Sequence, residues 1–319
     1  MTMLDPVLLF FLLGLTAGLL RSELRLPAAV YDLISMLLLL AIGLKGGVEL
    51  AKQPFSALAW QTLAVMGMGS LLALLAFGVL RFVGRLPRAD AASIAAHYGS
   101  VSVATYAVGV DYFTNRQIDF EAQMPLLLAV LEIPAILVGI LLARGLSRDM
   151  RLGVVAREVF LGKGIVLLVG GLLIGWIAGP EELAPITPLF FDLFKGILAL
   201  FLLEMGLITA AQFGSLRRYG LFLVLFGICM PLISSTVGIA VGLGLGMSLG
   251  GTAMLGILAA SASYIAVPAA MRISVPEANP TLSLAAALGV TFPFNVLVGI
   301  PIYHAMATHA FELTGGLGP

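Results

Sequence analysis

Two short stretches place hydrogen-bonding side chains inside otherwise apolar sequence: "AAHYGSVSVAT" at residues 95–105 and "ASASYIAVP" at residues 260–268. The N–H groups and positive dipole at a helix N-terminus suit anions, whereas hydroxyls and unwound carbonyls suit cations. Gly99 permits unwinding, and Pro268 cannot continue a helical hydrogen-bond ladder. The two stretches therefore predict a ligand site where two helices open, although each serine alone is equally typical of close helix packing. The candidate substrate-binding residues are Ser100, Ser102, Thr105, Ser261, Ser263 and Tyr264.

A third polar feature is Glu132, which lies within the apolar run "AVLEIPAILVGI". Ionisable groups inside a bilayer are costly and usually functional, and the nearby proline leaves a backbone carbonyl free. Glu132 is therefore a candidate site for a coupling cation or proton; the alternative is a protonated acid bonded to a neighbouring helix. Thr291 and Asn295 occupy the corresponding place in "TFPFNVLVGIP" and complete the predicted coupling site. For His97, a hydrogen-bonded packing role is favoured over proton transfer.

The composition requires these residues to be positioned by membrane-spanning helices. The 319-residue chain is 60% hydrophobic and 11% charged, whereas soluble proteins are about 45–50% apolar. Long apolar runs suit helices, because backbone groups in hydrocarbon must bond within their own segment. The sequence predicts an all-α integral membrane protein with ten spans: 6–20, 27–50, 54–82, 90–113, 123–143, 163–178, 187–208, 217–246, 251–271 and 281–307.

The charges of the connecting loops predict the orientation. Ten spans place both termini on one side, where the loops carry only Lys52 and Arg116 among basic residues. The opposite loops carry thirteen, many of them in the loop 144–163. The positive-inside rule therefore places both termini outside and this loop in the cytoplasm. Asp32, Asp111, Asp192 and Lys195 lie near span ends, where contact with water is expected.

The two halves of the chain resemble each other. Gly43 in "LLAIGLKGG" matches Gly206 in "LLEMGLITA" at an offset of 163, and "LVGI" recurs at 137–140 and 297–300. The two polar stretches match in the same order. Five spans per half require opposite insertion, so we predict a 5+5 inverted repeat, residues 1–150 and 151–319, with spans four and nine broken. Chance similarity among helices rich in Leu, Gly and Ala is the alternative.

Several classes are excluded by the sequence. Cys229 is the only cysteine, so neither a disulfide framework nor a cysteine-based metal site can form. Walker A and HExxH motifs are absent, as is a potassium-type selectivity filter. Because Ser102 lacks a suitably placed base, an intramembrane protease is disfavoured, and we expect no enzymatic activity.

Six segments resemble the bacterial sodium-dependent bicarbonate transporter family, in order along nearly the whole chain. They are "IGLKGGVEL" (42–50), "AAHYGSVSVAT" (95–105), "EIPAILVGILLAR" (132–144), "ASASYIAVPAAMR" (260–272), "PEANP" (276–280) and "GVTFPFNVLVGIP" (289–301). The resemblance implies interleaved core and gate regions, homotrimers, elevator-type alternating access, and substrate and sodium held between broken spans four and nine.

The family motifs match only in part. Cyanobacterial members have a Ser-Gly-Ser-Thr run in span four, of which Ser102 and Thr105 are retained here. Their span-nine acid is replaced by Tyr264, and their span-five aspartate by Glu132. The loop 144–163 is much shorter than the loop of members that bind a PII-like regulator. The differences fall on site residues and on the regulator-binding loop. The resemblance therefore implies the family's fold more strongly than its substrate or its regulator.

The leading functional expectation is sodium-coupled uptake of bicarbonate across the bacterial plasma membrane, with no cofactor besides the coupling ion. One alternative is a proton-coupled carrier of another small carboxylate, with Tyr264 and His97 shaping its pocket. The other is a membrane sensor that binds its ligand without transporting it. No basic surface suggests nucleic acid, since net charge is zero.

Overall fold

The protein is all-helical in the computed structural model, which describes residues 5–51, 55–145, 153, 157 and 160–314 and shows no strand among them. Most of the basic loop 144–163, predicted to be cytoplasmic, lies outside the described residues, as does Lys52. The helices are α1 (Pro6–Leu19), α2 (Ala28–Leu50), α3 (Phe55–Gly78), α4 (Arg88–Gly99), α5 (Val103–Thr114), α6 (Met124–Arg144), α7 (Lys163–Leu183), α8 (Phe194–Tyr219), α9 (Leu221–Gly244), α10 (Leu249–Ala259), α11 (Ala266–Ser274) and α12 (Pro280–Leu313).

Within the described residues, seven helices are long and apolar enough to cross a membrane: α2, α3 with its π-helical extension, α6, α7, α8, α9 and α12. The protein is therefore a multi-pass membrane protein. The other three predicted spans contain shorter helices. The first is α1, and the predicted spans 90–113 and 251–271 each contain two helices, α4 with α5 and α10 with α11.

Side-chain caps and prolines set several helix boundaries. Asp5 caps α1, since its Oδ1 accepts the Val7 N–H at 3.0 Å, and Ser248 caps α10 through the Gly251 N–H. Helix α8 begins at Phe194 rather than at the predicted residue 187, because a 3-10 turn and the π-helical turn Pro188–Asp192 precede it. Prolines in both turns lack the N–H that would continue the ladder.

Four helices pack as two parallel pairs, α1 with α8 and α2 with α7; we call them the paired group. Glycines allow the backbones of each pair to touch. A methyl group on Gly14 would collide with α8 at Leu203, and one on Gly206 would collide with α1 beside Gly14. In the second pair, a methyl group on Gly43 would approach the Gly171 Cα at 3.0 Å. Each close contact therefore requires glycine on both helices.

The remaining helices, α3 to α6 and α9 to α12, pack mainly on one another and form what we call the core group. Here too, small residues bring the helices close. Gly69 of α3 lies against the carbonyl of Gly99, the last residue of α4, and Gly139 of α6 lies against Ala96. Gly238 of α9 takes the equivalent place against Ala259, the last residue of α10. The ends of α4 and α10 are thus fixed in the packed interior.

Polar contacts mark two opposite faces of the bundle. On the Asp5 face, Asp5, Asn115 and Lys195 contact one another, and Glu121 accepts bonds from Ser248. The Arg144 face is marked by the ion pairs Arg144–Glu277 and Lys163–Asp32 and by the bond from the Asn279 N–H to Asp90. The predicted topology places the Asp5 face outside and the Arg144 face in the cytoplasm.

Candidate functional site

The helical chain is interrupted between α4 and α5 at residues 100–102, which we call the first interruption. Ser100 and Ser102 have extended backbone, with φ −96°, ψ −169° and φ −113°, ψ 116°. Ser102 then caps α5, because its Oγ accepts the Thr105 N–H at 3.1 Å. The cap competes with continued helix and fixes where α5 begins.

The second interruption, residues 260–265, separates α10 from α11. After it, α11 begins at Ala266, and Pro268 falls in its first turn, where a missing N–H costs no helical hydrogen bond. Neither interruption carries a lysine or arginine in its sequence. An anion held here would be bound by neutral donors.

The two interruptions are hydrogen-bonded to each other. The Ser102 N–H donates to Ser261 Oγ at 2.9 Å, and the Ser263 N–H donates to the His97 carbonyl at 2.9 Å. His97 Nδ1 contacts the Ser263 carbonyl, so it carries the proton and donates. Ser261 Oγ in turn donates to the Leu258 carbonyl at 2.8 Å. The structure therefore joins polar stretches that are about 160 residues apart in sequence.

Tyr264 extends from the second interruption to the first. Its hydroxyl accepts the Ser102 hydroxyl at 3.3 Å, while Ser102 Oγ accepts the Thr105 N–H. The tyrosine ring packs edge-on against Phe292 of α12, with centroids 5.8 Å apart. The bonds run in one direction, from the N-terminus of α5 to Tyr264, and leave the tyrosine proton free to donate onward.

Three buried oxygen atoms in this region have no hydrogen-bond partner. Two lie at or beside the first interruption, and the third lies on α6. They are Ser100 Oγ, Thr105 Oγ1 and Glu132 Oε2. Leaving a buried polar atom unpaired costs about 1–3 kcal/mol, so such atoms normally have partners. These positions are therefore where a bound ligand or ion would restore bonding.

Glu132 lies in α6, a helix that packs on α4, and the residue is only 6% exposed. Pro134 is inside the same helix. Because Pro134 has no N–H, the carbonyl four residues earlier, that of Val130, has no helical donor. A carboxylate and a free carbonyl on one helical turn can serve a cation or exchange a proton.

Thr291 and Asn295 lie together in α12, but their polar atoms are already engaged. Thr291 Oγ1 donates at 2.8 Å to the Gly227 carbonyl, which Pro231 leaves without a helical donor, and accepts Tyr98 OH at 2.6 Å. Asn295 Nδ2 donates to the Ala260 carbonyl at 2.9 Å. Tyr303 OH donates to Asn295 Oδ1 at 2.6 Å. Asn295 therefore braces the second interruption and Thr291 joins α12 to α9 and α4, and their ion-binding role stays a prediction.

Two serines that were not singled out from the sequence also lack partners. Ser234 and Ser235 of α9 are at most 1% exposed, and neither hydroxyl forms a hydrogen bond. Ser235 lies near Gly256, one turn before the second interruption. The sequence feature that could have identified them is a pair of adjacent serines shortly after Pro231 in an apolar span.

A cavity of about 550 Å³ opens between the two helix groups at the Asp5 face. Its wall includes Ile42 of α2, Lys195 of α8, Asp111 of α5 and Pro125 of α6. Tyr106, which directly follows Thr105, also lines it. The cavity therefore extends toward the residues that begin α5.

Fold and site together define a multi-pass α-helical membrane protein with a buried polar site where two interruptions of the helical chain meet. The model of the Na+-dependent bicarbonate transporter superfamily matches residues 6–308. The chain belongs to this family, which confirms the resemblance seen in the sequence motifs. It is thus a member of a transporter family rather than of an enzyme family. No curated protein matches the chain.

Proposed function

We propose that the protein is a secondary transporter that carries a small anion together with sodium into the bacterial cell, with bicarbonate as the first substrate to test. The observation that carries the proposal is the pair of buried, unbonded hydroxyls of Ser100 and Thr105, which flank the start of α5. Both termini lie outside in the proposed orientation, so the Asp5 face is external.

The start of α5 supplies the other donors. The first N–H groups of a helix, here those of Val103 and Ala104, have no acceptor within the helix, and the helix dipole places partial positive charge there. Ser100, Thr105 and the free proton of Tyr264 complete a shell of neutral donors. Ser263 adds its hydroxyl, whereas Ser261 acts by holding Ser102.

Glu132 is the proposed coupling residue. A buried carboxylate that lacks a partner is costly as an anion, and a bound cation removes that cost. By neutralising Glu132, sodium would also remove the repulsion between this carboxylate and the incoming anion, so each would strengthen binding of the other. Thr291 and Asn295 are proposed to serve the coupling site by fixing α12 against α9, α4 and the end of α10.

Alternating access is proposed to follow an elevator scheme in which the core group moves against the paired group. The glycine contacts support an inverted repeat: Gly14 meets Gly206 and Gly43 meets Gly171, so the first helix of each half packs on the second helix of the other half. Binding at the meeting point of two inverted halves is typical of such transporters.

The resemblance to cyanobacterial members leads us to propose a homotrimer. A PII-like regulator is a weaker proposal, because the loop 144–163 is short. Mass measurement of the protein in lipid nanodiscs tests the trimer, which predicts one species of three chains.

A specific observation favours one alternative. Glu132 is unbonded, and a carboxyl that gains and loses a proton in that place would give proton-coupled transport of another small carboxylate. Proteoliposomes separate the two functions. Uptake of labelled bicarbonate driven by a sodium gradient at equal pH supports the first, and uptake that follows only a pH gradient supports the second. Binding without uptake under either gradient favours a sensor.

A further inference from the structure

Four side chains form a closed polar network on the Asp5 face. Lys195 Nζ lies 3.5 Å from Asp5 Oδ2 and 3.5 Å from Asp111 Oδ1, and donates to Asn115 Oδ1 at 3.1 Å. Asn115 Nδ2 donates to Asp5 Oδ2 at 2.6 Å and to Asp111 Oδ2 at 3.0 Å. One lysine and one amide thus satisfy two carboxylates at once.

The network connects the two helix groups. Asp5 caps α1 and Lys195 lies in the first turn of α8, both in the paired group, whereas Asp111 and Asn115 lie at the end of α5 in the core group. The cavity wall beneath the network contains apolar residues, such as Ile42 and Phe194, as well as charged ones, such as Lys45.

The Arg144 face is different. Among the residues described there, the ion pair Lys163–Asp32 joins α7 to α2, within the paired group. Arg144 pairs with Glu277, and Asp90 accepts the Asn279 N–H, both within the core group. Each of these contacts on the Arg144 face therefore lies within one group.

The bridge also lies across the cavity between the groups. Asp111, Asn115 and Lys195 line its wall, together with Tyr106 next to the first interruption. Separation of the groups at this face would widen the cavity and break all contacts that cross the boundary. The contacts within each group would survive the same movement.

We propose that Asp5, Asp111, Asn115 and Lys195 form a latch that stabilises the present arrangement of the two groups and must open during transport. The inference rests on the proposed movement of the core group against the paired group. An interaction shifts a conformational equilibrium only if it differs between the two states, and the latch meets this condition because it crosses the boundary.

The latch can be tested by measuring distances between the groups with paired spin labels. Asp119→Cys on the core group and Glu182→Cys on the paired group are exposed positions, introduced with Cys229→Ser to remove the native thiol. In vesicles, the distance between the two labels should show a shorter population, with the groups latched, and a longer one, with the groups apart. Lys195→Met should raise the longer population about threefold, as expected for the loss of a partly exposed ion pair. Asn115→Ala, which removes no charge, should shift it in the same direction. Lys163→Met is the matched control and should leave it unchanged.

Salt provides a second measurement that a purely structural role would not affect. Raising potassium chloride to about 1 M shortens the screening length to about 3 Å, and should shift the unsubstituted protein toward the longer distance. Lys195→Met should not shift that way, because only the repulsion between Asp5 and Asp111 is left to screen. An unchanged distribution in Lys195→Met, or an equal shift in Lys163→Met, would overturn the latch. A protein that takes up anion but shows a single distance would also overturn it while leaving the transport function intact. Absence of uptake with a normal latch response would instead contradict only the proposed function.

Discussion

The two interruptions of the helical chain, at residues 100–102 and 260–265, differ in their bonding. At the second, the Ala260 carbonyl is bonded by Asn295, and the hydroxyl of Ser261 both accepts and donates. At the first, Ser100 and Thr105 have buried hydroxyls without partners. One interruption is stabilised by the protein itself, and the other has unused binding capacity.

The difference suggests that the two interruptions have different tasks, one in supporting the fold and one in binding the ligand. Residues that brace the second interruption should affect mainly stability, because their partners are protein atoms. Residues with unbonded groups at or beside the first should affect mainly ligand binding, because removing them breaks no bond to another protein group. The hydroxyl chain through Ser102 to Tyr264 connects the two.

The largest expected effect is on binding at the first interruption. Ser100→Ala combined with Thr105→Val should weaken anion binding by at least about 100-fold, because two bonds to a charged ligand are lost. Binding is measured by titration calorimetry on purified protein. Stability should not fall, since neither hydroxyl is bonded now. Normal affinity in the double variant would remove the first interruption from the site.

The second-largest effect is expected on the sodium dependence of uptake. Glu132→Gln keeps the shape of the side chain but removes the carboxylate, so the sodium concentration for half-maximal uptake should rise at least about tenfold. Glu181→Gln, an exposed acid at the end of α7, is the control. Unchanged sodium dependence in Glu132→Gln would contradict its coupling role.

The bracing role of the second interruption predicts a loss of stability. Ser261→Ala leaves the buried Ser102 N–H without its acceptor, and should lower the free energy of unfolding by about 1–3 kcal/mol. Reversible unfolding in detergent measures the change. Ser274→Ala removes another buried serine hydroxyl, but one that forms no bond, and should cost less. Equal losses of unfolding free energy in the two variants would contradict the proposed division between residues that support the fold and residues that bind the anion.

The smallest effect is expected where the two interruptions meet. Tyr264→Phe removes one donor to the anion but also releases the Ser102 hydroxyl from its 3.3 Å bond to Tyr264. The net loss should be that of one neutral bond, about 0.5–1.5 kcal/mol, and anion binding should weaken about two- to tenfold. Tyr112→Phe, whose hydroxyl lies at the Asp5 face beside His304, should have no effect on affinity. If the two variants bind alike, Tyr264 contributes only packing.

Much of the fold was predictable from apolar periodicity. Runs of about 20 apolar residues indicated most of the long helices, and Gly99 with the flanking serines indicated where polar groups would need non-helical backbone. The start of α8 was predicted several residues too early. The apolar run begins at residue 187, but hydropathy does not register how Pro185 and Pro188 divert the backbone into short turns.

The sequence predicted that the two polar stretches meet, but not how their residues are bonded. Residue types placed Ser102 and Ser261 in one site, and their bond at 2.9 Å agrees with that placement. Sequence could not show that Thr291 and Asn295 are already bonded, because their partners Gly227 and Tyr303 are set by helix packing. It also passed over Ser234 and Ser235, since hydroxyls in helices usually bond to their own backbone.

The most direct test is a cryo-electron microscopy structure of the protein with sodium and bicarbonate. The account predicts density for the anion within hydrogen-bond distance of Ser100 Oγ and Thr105 Oγ1, at the start of α5, with the bond between Ser102 and Ser261 preserved. Anion density enclosed by residues 260–263, with the hydroxyls of Ser100 and Thr105 still unbonded, would contradict it.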